Sequence, residues 1–93
     1  MPEYGMPADK VLAAMDKMRE TETGQKYMTA HNLTDPGFAV WLMLVDRALM
    51  KSIRFTHRDL ADWSWRDAYD NGTSPQDAAN QAVAEDDLFG AFE

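Results

Sequence analysis

A chain of 93 residues is the size of one small domain, and 45% hydrophobic residues with 11% aromatic residues exclude a typical disordered chain. The chain contains no cysteine, which excludes a disulfide framework and a thiolate zinc site. Its formal net charge of −7 disfavours direct binding to nucleic acid, because attraction to phosphates supplies most non-specific affinity.

The charge is distributed unevenly along the sequence. Residues 36–58 contain one acidic and four basic side chains, net +3. The preceding residues 1–35 contain six acidic and four basic side chains, net −2, and residues 59–93 contain nine and one, net −8. The basic side chains of the middle segment therefore stand out in an acidic protein.

The first residues and the apolar runs contain no targeting or membrane signal. Residues 1–5 lack a basic region and an apolar stretch, so they do not form a signal peptide. The longest apolar run, from Phe38 to Val45, is much shorter than the roughly 20 residues that a membrane span needs. We expect a cytoplasmic protein that does not bind membranes.

Apolar residues recur at helical spacing through most of the chain. The spacing predicts helices over about 7–20 and 22–31, a turn of helix after Thr56, and helices over 63–71 and from Ser74-Pro75 to about 85. Asp35-Pro36 is a strong start signal for the helix 36–53, whose apolar face is wide. That face consists of Phe38, Trp41, Leu42, Val45, Leu49 and Ile53.

These elements predict an all-α fold. One domain, residues 1–85, would consist of four or five short helices packed around the hydrophobic helix over about 36–53, with Trp41 fully buried. Residues 86–93 would form an acidic and aromatic C-terminal tail.

The residues that could support catalysis or metal binding have simpler structural interpretations. His31 and His57 are 26 positions apart and lack a third ligand at a recognisable spacing, so we expect no metal and no cofactor. His57-Arg58-Asp59-Leu60 matches the start of a kinase catalytic loop, but the other kinase motifs are missing, and Thr56 with Asp59 forms a capping box. We therefore expect that the protein is not an enzyme; a small uncharacterised enzyme using His57 and Asp59 is the weakest alternative.

Three features are candidate contact surfaces. On a continuous helix, Arg47, Lys51, Arg54 and Arg58 would form a basic stripe beside Met43 and Met50, which either contacts a partner or forms salt bridges to the acidic helices. Trp63 lies two positions from Trp65, so the two rings point in different directions, and Trp63 is expected near Arg66. In the tail, Leu88, Phe89 and Phe92 alternate with acidic residues, and these side chains either bind a partner or fold onto the core.

Part of the chain resembles a known group of proteins. Leu44-Val45-Asp46-Arg47, Asp59-Leu60-Ala61-Asp62, the run from Arg66 to Pro75, and Ala78-Ala79 form a pattern similar to small uncharacterised proteins of actinobacteria, plasmids and phages. The resemblance covers residues 44–85. It implies a helical domain and a mobile-element setting, and it implies no activity and no functional residues.

Together these features predict a non-enzymatic protein that acts by binding another protein. The predicted contact residues are Met43, Arg47, Met50, Arg54, Trp63, Leu88, Phe89 and Phe92. Such a protein could be a phage accessory factor that modulates its host, and a homodimer formed by the tail of one copy on the basic strip of another is an open alternative. A further alternative is an acidic mimic of DNA that occupies a nucleic-acid-binding protein.

Overall fold

The computed structural model describes residues 4–60 and 63–85, and the secondary structure in these two ranges is entirely helical, without a strand. This confirms the predicted all-α fold, with boundaries within about two residues of those predicted. The helices are α1 (Ala8–Glu20), α2 (Glu22–Ala30), α3 (Pro36–Ser52), α4 (Trp65–Asp70) and α5 (Pro75–Glu85). None of them is both long and apolar enough to cross a membrane.

Short polar signals determine where the helices begin and end. The Asp35 carboxylate accepts hydrogen bonds from the backbone N–H of Gly37 at 2.9 Å and of Phe38 at 3.4 Å, which caps α3 as the sequence predicts. Thr21 adopts an extended backbone that separates α1 from α2, and its hydroxyl accepts a hydrogen bond from Gly24 N–H at 3.0 Å. Beyond the end of α3, Arg54 has a φ of 60°, a left-handed conformation that stops the helix from continuing.

Helix α3 is the centre of the structure, and α1, α2, α4 and α5 all pack against it. Trp41, Val45 and Leu49 are completely buried, and Trp41 Nε1 donates a hydrogen bond to the carbonyl oxygen of Thr73 at 2.9 Å. The prediction that Trp41 is fully buried is therefore confirmed. At the interface between α3 and α5, small residues of α5 let the two helices approach closely. These are Ala78, Ala79 and Ala82, all buried.

A glycine sets the distance between α1 and α2. A Cβ atom built on Gly24 would lie 2.6 Å from Met18 Cα and 2.8 Å from the carbonyl oxygen of Lys17, so no larger residue fits without moving the backbone. This close approach brings the start of α2 against the end of α1, both helices also contact α3, and Gly24 lines the groove described below.

Candidate interaction surface

Three predicted contact residues lie on one face in the C-terminal half of α3, and a fourth follows just beyond the end of the helix. Met43, Arg47 and Met50 are spaced by four and three residues, which places them on the same helix face, and Arg54 follows just after the helix end. Arg47 and Arg54 are exposed, and Met50 is one of the few large apolar side chains that are largely exposed, at 48%. We call these four residues the α3 strip.

The cations in and beside the α3 strip have no acidic partner in the part of the chain that the structure describes. Salt bridges there involve other basic residues, namely Arg19, Lys26, His57 and Arg66. Within residues 4–60 and 63–85, Arg47, Lys51, Arg54 and Arg58 form no salt bridge to the acidic helices. The expectation that such bridges neutralise this stripe is therefore wrong for these residues, and their positive charge faces solvent.

An apolar groove lies at the N-terminal end of the α3 strip. It has a volume of about 250 Å³ and runs between α1, α2 and Met43 of α3. Lys17 supplies a cation at its edge, while Met18, Gly24 and Tyr27 line it. We call it the methionine groove. Because Met43 belongs to both features, the groove and the strip form one surface that is apolar at one end and basic along its length.

Next to this surface, a half-buried polar cluster connects α2, α3 and the segment after α3. The Tyr27 hydroxyl donates to Asp46 Oδ2 at 2.7 Å. The other oxygen of Asp46 accepts a hydrogen bond from the backbone N–H of His57 at 2.8 Å and lies 2.7 Å from His57 Nδ1. The ring centroid of His57 is 4.9 Å from that of His31, which in turn packs 4.4 Å from the ring of Tyr27. Both oxygens of Asp46 are thus engaged inside the protein.

The electrostatics of the cluster favour an ionised Asp46, a neutral His31 and a protonated Tyr27. Burial alone would raise the pKa of Asp46, but hydrogen bonds from His57 and Tyr27 outweigh it and lower the pKa. Burial and the adjacent His57 lower the pKa of His31. Burial and the hydrogen bond to Asp46 raise the pKa of Tyr27 above its usual value, so its hydroxyl stays protonated and remains a donor.

The sequence did not indicate this cluster. His57 pairs with Asp46 of α3, whereas Asp59 accepts a hydrogen bond from the backbone N–H of Thr56 at 2.9 Å, as the capping-box interpretation predicts. In the described ranges, no group of three or more histidine, cysteine or acidic residues is arranged to hold a metal ion. The cluster acts as a structural link between elements.

Trp63 is separate from the α3 strip. Its Nε1 donates a hydrogen bond to a carboxylate oxygen of Glu85 at the end of α5, and its ring packs at 4.7 Å against Trp65. Arg66, near which Trp63 was expected, stacks over Phe38 and forms a salt bridge to Asp35. Trp63 is half-buried and lines a polar cleft of about 300 Å³ beside α4 and α5.

The remaining predicted contact residues, Leu88, Phe89 and Phe92, lie outside the described residues. The structure thus places three of the eight predicted contact residues on one face of α3, with Arg54 just beyond the helix end and a fifth, Trp63, elsewhere. The methionine groove is the part of the surface that sequence reasoning missed. Its signal was Gly24, whose missing side chain allows α2 to pack directly on α1.

Two mycobacteriophage proteins are similar to this chain. The Gene 87 protein of Mycobacterium phage D29 is 38% identical over 47 residues, which are 50% of this chain and 87% of that protein. The Gene 87 protein of Mycobacterium phage L5 is 35% identical over 46 residues, again 50% of this chain and 87% of that protein. No protein-family profile matches the chain, and no solved structure matches it.

The helical fold and these matches define a small all-α protein of a kind that phages encode. More particularly, the chain belongs to the family of the Gene 87 proteins of mycobacteriophages D29 and L5. The predicted resemblance to small phage proteins is confirmed to this extent. The wider group of actinobacterial and plasmid proteins stays a prediction.

Proposed function

We propose that this protein is a non-enzymatic phage accessory protein that acts by binding a host protein through the α3 strip and the methionine groove. The observation that carries the proposal is the set of exposed cations on α3 that have no acidic partner among the described residues, in a protein whose net charge is −7. The family relationship to phage proteins supports the setting.

The composition of the surface favours a protein partner with an acidic, partly apolar segment. The apolar groove offers a site in which a bulky side chain can be desolvated, and the cations along the strip would attract nearby acidic residues and fix their register. Exposed methionines such as Met50 adapt to different partner shapes, because the side chain is flexible and polarizable.

The polar cluster supports a binding function over a catalytic one. The Asp46 carboxylate, the group best placed to activate His57, accepts hydrogen bonds from both Tyr27 and His57. The exposed fractions of the His57 and Asp46 side chains are only 11% and 14%, which limits the contact of either group with a substrate.

The test is affinity capture from a mycobacterial lysate with three forms of the protein. The strip variant Arg47→Glu/Arg54→Glu reverses two exposed cations of the α3 strip. The matched control Lys10→Glu/Lys26→Glu makes the same change in net charge at exposed positions of α1 and α2. We expect at least one protein that the wild type and the control retain and the strip variant loses.

Two results would contradict the proposal. One is that every protein enriched by the wild type is retained equally by the strip variant. The other is that the wild type enriches no protein over bare resin. Capture of DNA-binding proteins that withstands the strip substitutions but is lost in Asp67→Lys/Asp77→Lys would instead support DNA mimicry, because those exposed acids lie on the acidic α4–α5 side.

A further inference from the structure

We infer that the methionine groove is controlled by pH, because proton uptake by His31 removes a side chain that holds one wall of the groove in place. Partner binding would then weaken in acid, a consequence that rests on the proposed function. The shape of the groove can be measured without a partner, so the pH control and the proposed function can fail independently.

Tyr27 connects the methionine groove to the polar cluster. Its ring lines the groove together with Met18 and Met43, and its hydroxyl donates to Asp46 Oδ2 at 2.7 Å. The ring of His31 packs against that of Tyr27, with the two centroids 4.4 Å apart. His31 therefore supports a wall of the groove, although it is not one of the residues that line it.

On the segment after α3, His31 has a second packing partner. The centroid of its ring lies 4.9 Å from that of His57, whose backbone N–H and Nδ1 both lie within hydrogen-bond distance of Asp46 Oδ1. His31 thus contacts two rings that are each tied to Asp46. Displacement of the His31 ring would leave the hydroxyl of Tyr27 anchored and its ring without this support.

A positive charge on His31 is unfavourable in this position. Burial is the largest effect that lowers its pKa, and the neighbouring His57 is the next. The Asp46 carboxylate offsets part of this, and Arg58 opposes the charge further. The groups that act on His31 thus come from each element around it: Tyr27 of α2, Asp46 of α3, and His57 and Arg58 of the segment after α3.

Protonated His31 should therefore turn toward solvent, where water hydrates its charge. His31 follows α2 as its C-terminal capping residue, so its side chain can turn outward without unwinding the helix. The groove then loses the fixed shape that lets it bury a side chain of a partner at low entropic cost. The new charge also attracts an acidic partner, but salt screens exposed charges beyond about 8 Å, so we expect the loss of shape to dominate.

The methyl signals of methionine report on the groove directly. We would titrate the full-length protein, with 13C-labelled methionine methyl groups, from pH 8 to pH 5 and follow Met43 together with the imidazole signals of His31. We expect the Met43 signal to shift with the same midpoint as His31, below the ordinary value of 6.5. Met50 is exposed and does not line the groove, so its signal should shift less.

Three comparisons make the titration specific. His31→Gln takes up no proton in this range, so the Met43 shift should disappear. Thr29→Ala changes an exposed residue of the same helix and should keep the shift. The indole N–H of Trp41, which donates to the Thr73 carbonyl in the core, should keep its signal throughout, because the change is confined to the groove.

Each contrary result of the titration would overturn the inference. A Met43 signal that does not move, or that moves equally in His31→Gln, would show that His31 does not control the groove. Loss of the Trp41 signal together with the Met43 shift would show that the whole domain unfolds instead.

Partner affinity gives a second readout. For a protein captured through the α3 strip, we expect the affinity to fall between pH 7.5 and pH 5.5, by at most about tenfold per pH unit because one proton is involved, and to fall less for His31→Gln. A captured partner whose affinity has the same pH dependence in both forms would overturn the pH control alone. A groove that titrates with His31 while no protein is captured would overturn the proposed function alone.

Discussion

Trp41 combines complete burial with one hydrogen bond, so its replacement affects both the packing of the core and the link to Thr73. Trp41→Ala would open a cavity at the centre of α3 and leave the Thr73 carbonyl without its donor. We expect a loss of about 3–5 kcal/mol in the free energy of unfolding, enough to unfold much of a domain whose total stability is at the low end of about 5–15 kcal/mol.

Thermal melting followed by circular dichroism measures this loss. Leu12→Ala is the control, because Leu12 is a large apolar residue that is 53% exposed and its removal should change stability little. A Trp41→Ala variant that melts near the wild-type temperature would contradict the central position of α3.

His31 gives a pH dependence whose sign follows from its lowered pKa. In the unfolded chain His31 has the ordinary histidine pKa of 6.5. In the folded protein, burial, His57 and Arg58 lower this pKa, and the carboxylate of Asp46 raises it by a smaller amount. The stabilising contribution is therefore present above pH 6.5 and is lost as the pH falls through the lower pKa of the folded state.

Urea unfolding at pH 8 and at pH 5 measures this contribution. We expect the wild type to lose more stability between these values than His31→Gln, which cannot take up the proton. Asp46 adds a second loss only in stronger acid, below its ordinary pKa of 3.8, because its folded pKa is lowered. An equal loss in both proteins between pH 8 and 5 would show that His31 protonates freely in the fold.

At the scale of elements, Asp46 joins α2, α3 and the segment after α3 through Tyr27 and His57. Asp46→Ala leaves these donors without their acceptor, which should cost about 1–3 kcal/mol and speed hydrogen exchange at the His57 amide. Glu20→Ala is the control, because it removes an exposed carboxylate of α1, far along the chain from His57. Equal exchange rates at His57 in the two variants would show that Asp46 does not hold the segment.

Gly24 determines how α1 and α2 pack. Gly24→Ala forces a methyl group against the backbone of Lys17 and Met18, so the helices must separate, and we expect a loss of about 1–3 kcal/mol. Thr29→Ala, at an exposed position of the same helix, should stay within about 0.5 kcal/mol of the wild type. Chemical denaturation of both variants tests this, and equal stability would contradict the close approach.

The elements whose signals are local could be predicted from the sequence, and the contacts between them could not. Asp35-Pro36 marks the start of α3 because the cap and the proline act on neighbouring backbone groups. The α3 strip follows from helical spacing up to Met50. By contrast, the turn at Arg54 has a left-handed φ of 60°. Because glycine is the residue that usually indicates such a conformation and none is present there, the sequence predicted a continuous helical stripe.

The pairings that define the site depend on the packed molecule. His57 reaches Asp46 only because an irregular segment turns back along α3, and helical periodicity gives no information about such a segment. Trp63 meets Glu85 across 22 positions, and the methionine groove exists only once α1, α2 and α3 have packed. Charge counts gave the correct location of the basic residues, but only the packed structure shows which of them lack acidic partners.

At the scale of the whole molecule, the central position of α3 has a consequence for the order of events on the ribosome. The N-terminal helices are synthesised first, but Val11 and Met18 of α1 belong to a buried cluster that is complete only once α3 is available. Helices α1 and α2 therefore complete their packing only after residues up to Ser52 have left the exit tunnel. Until then they expose an apolar face in the crowded interior of the cell, and a pause in translation just before α3 would prolong that exposure.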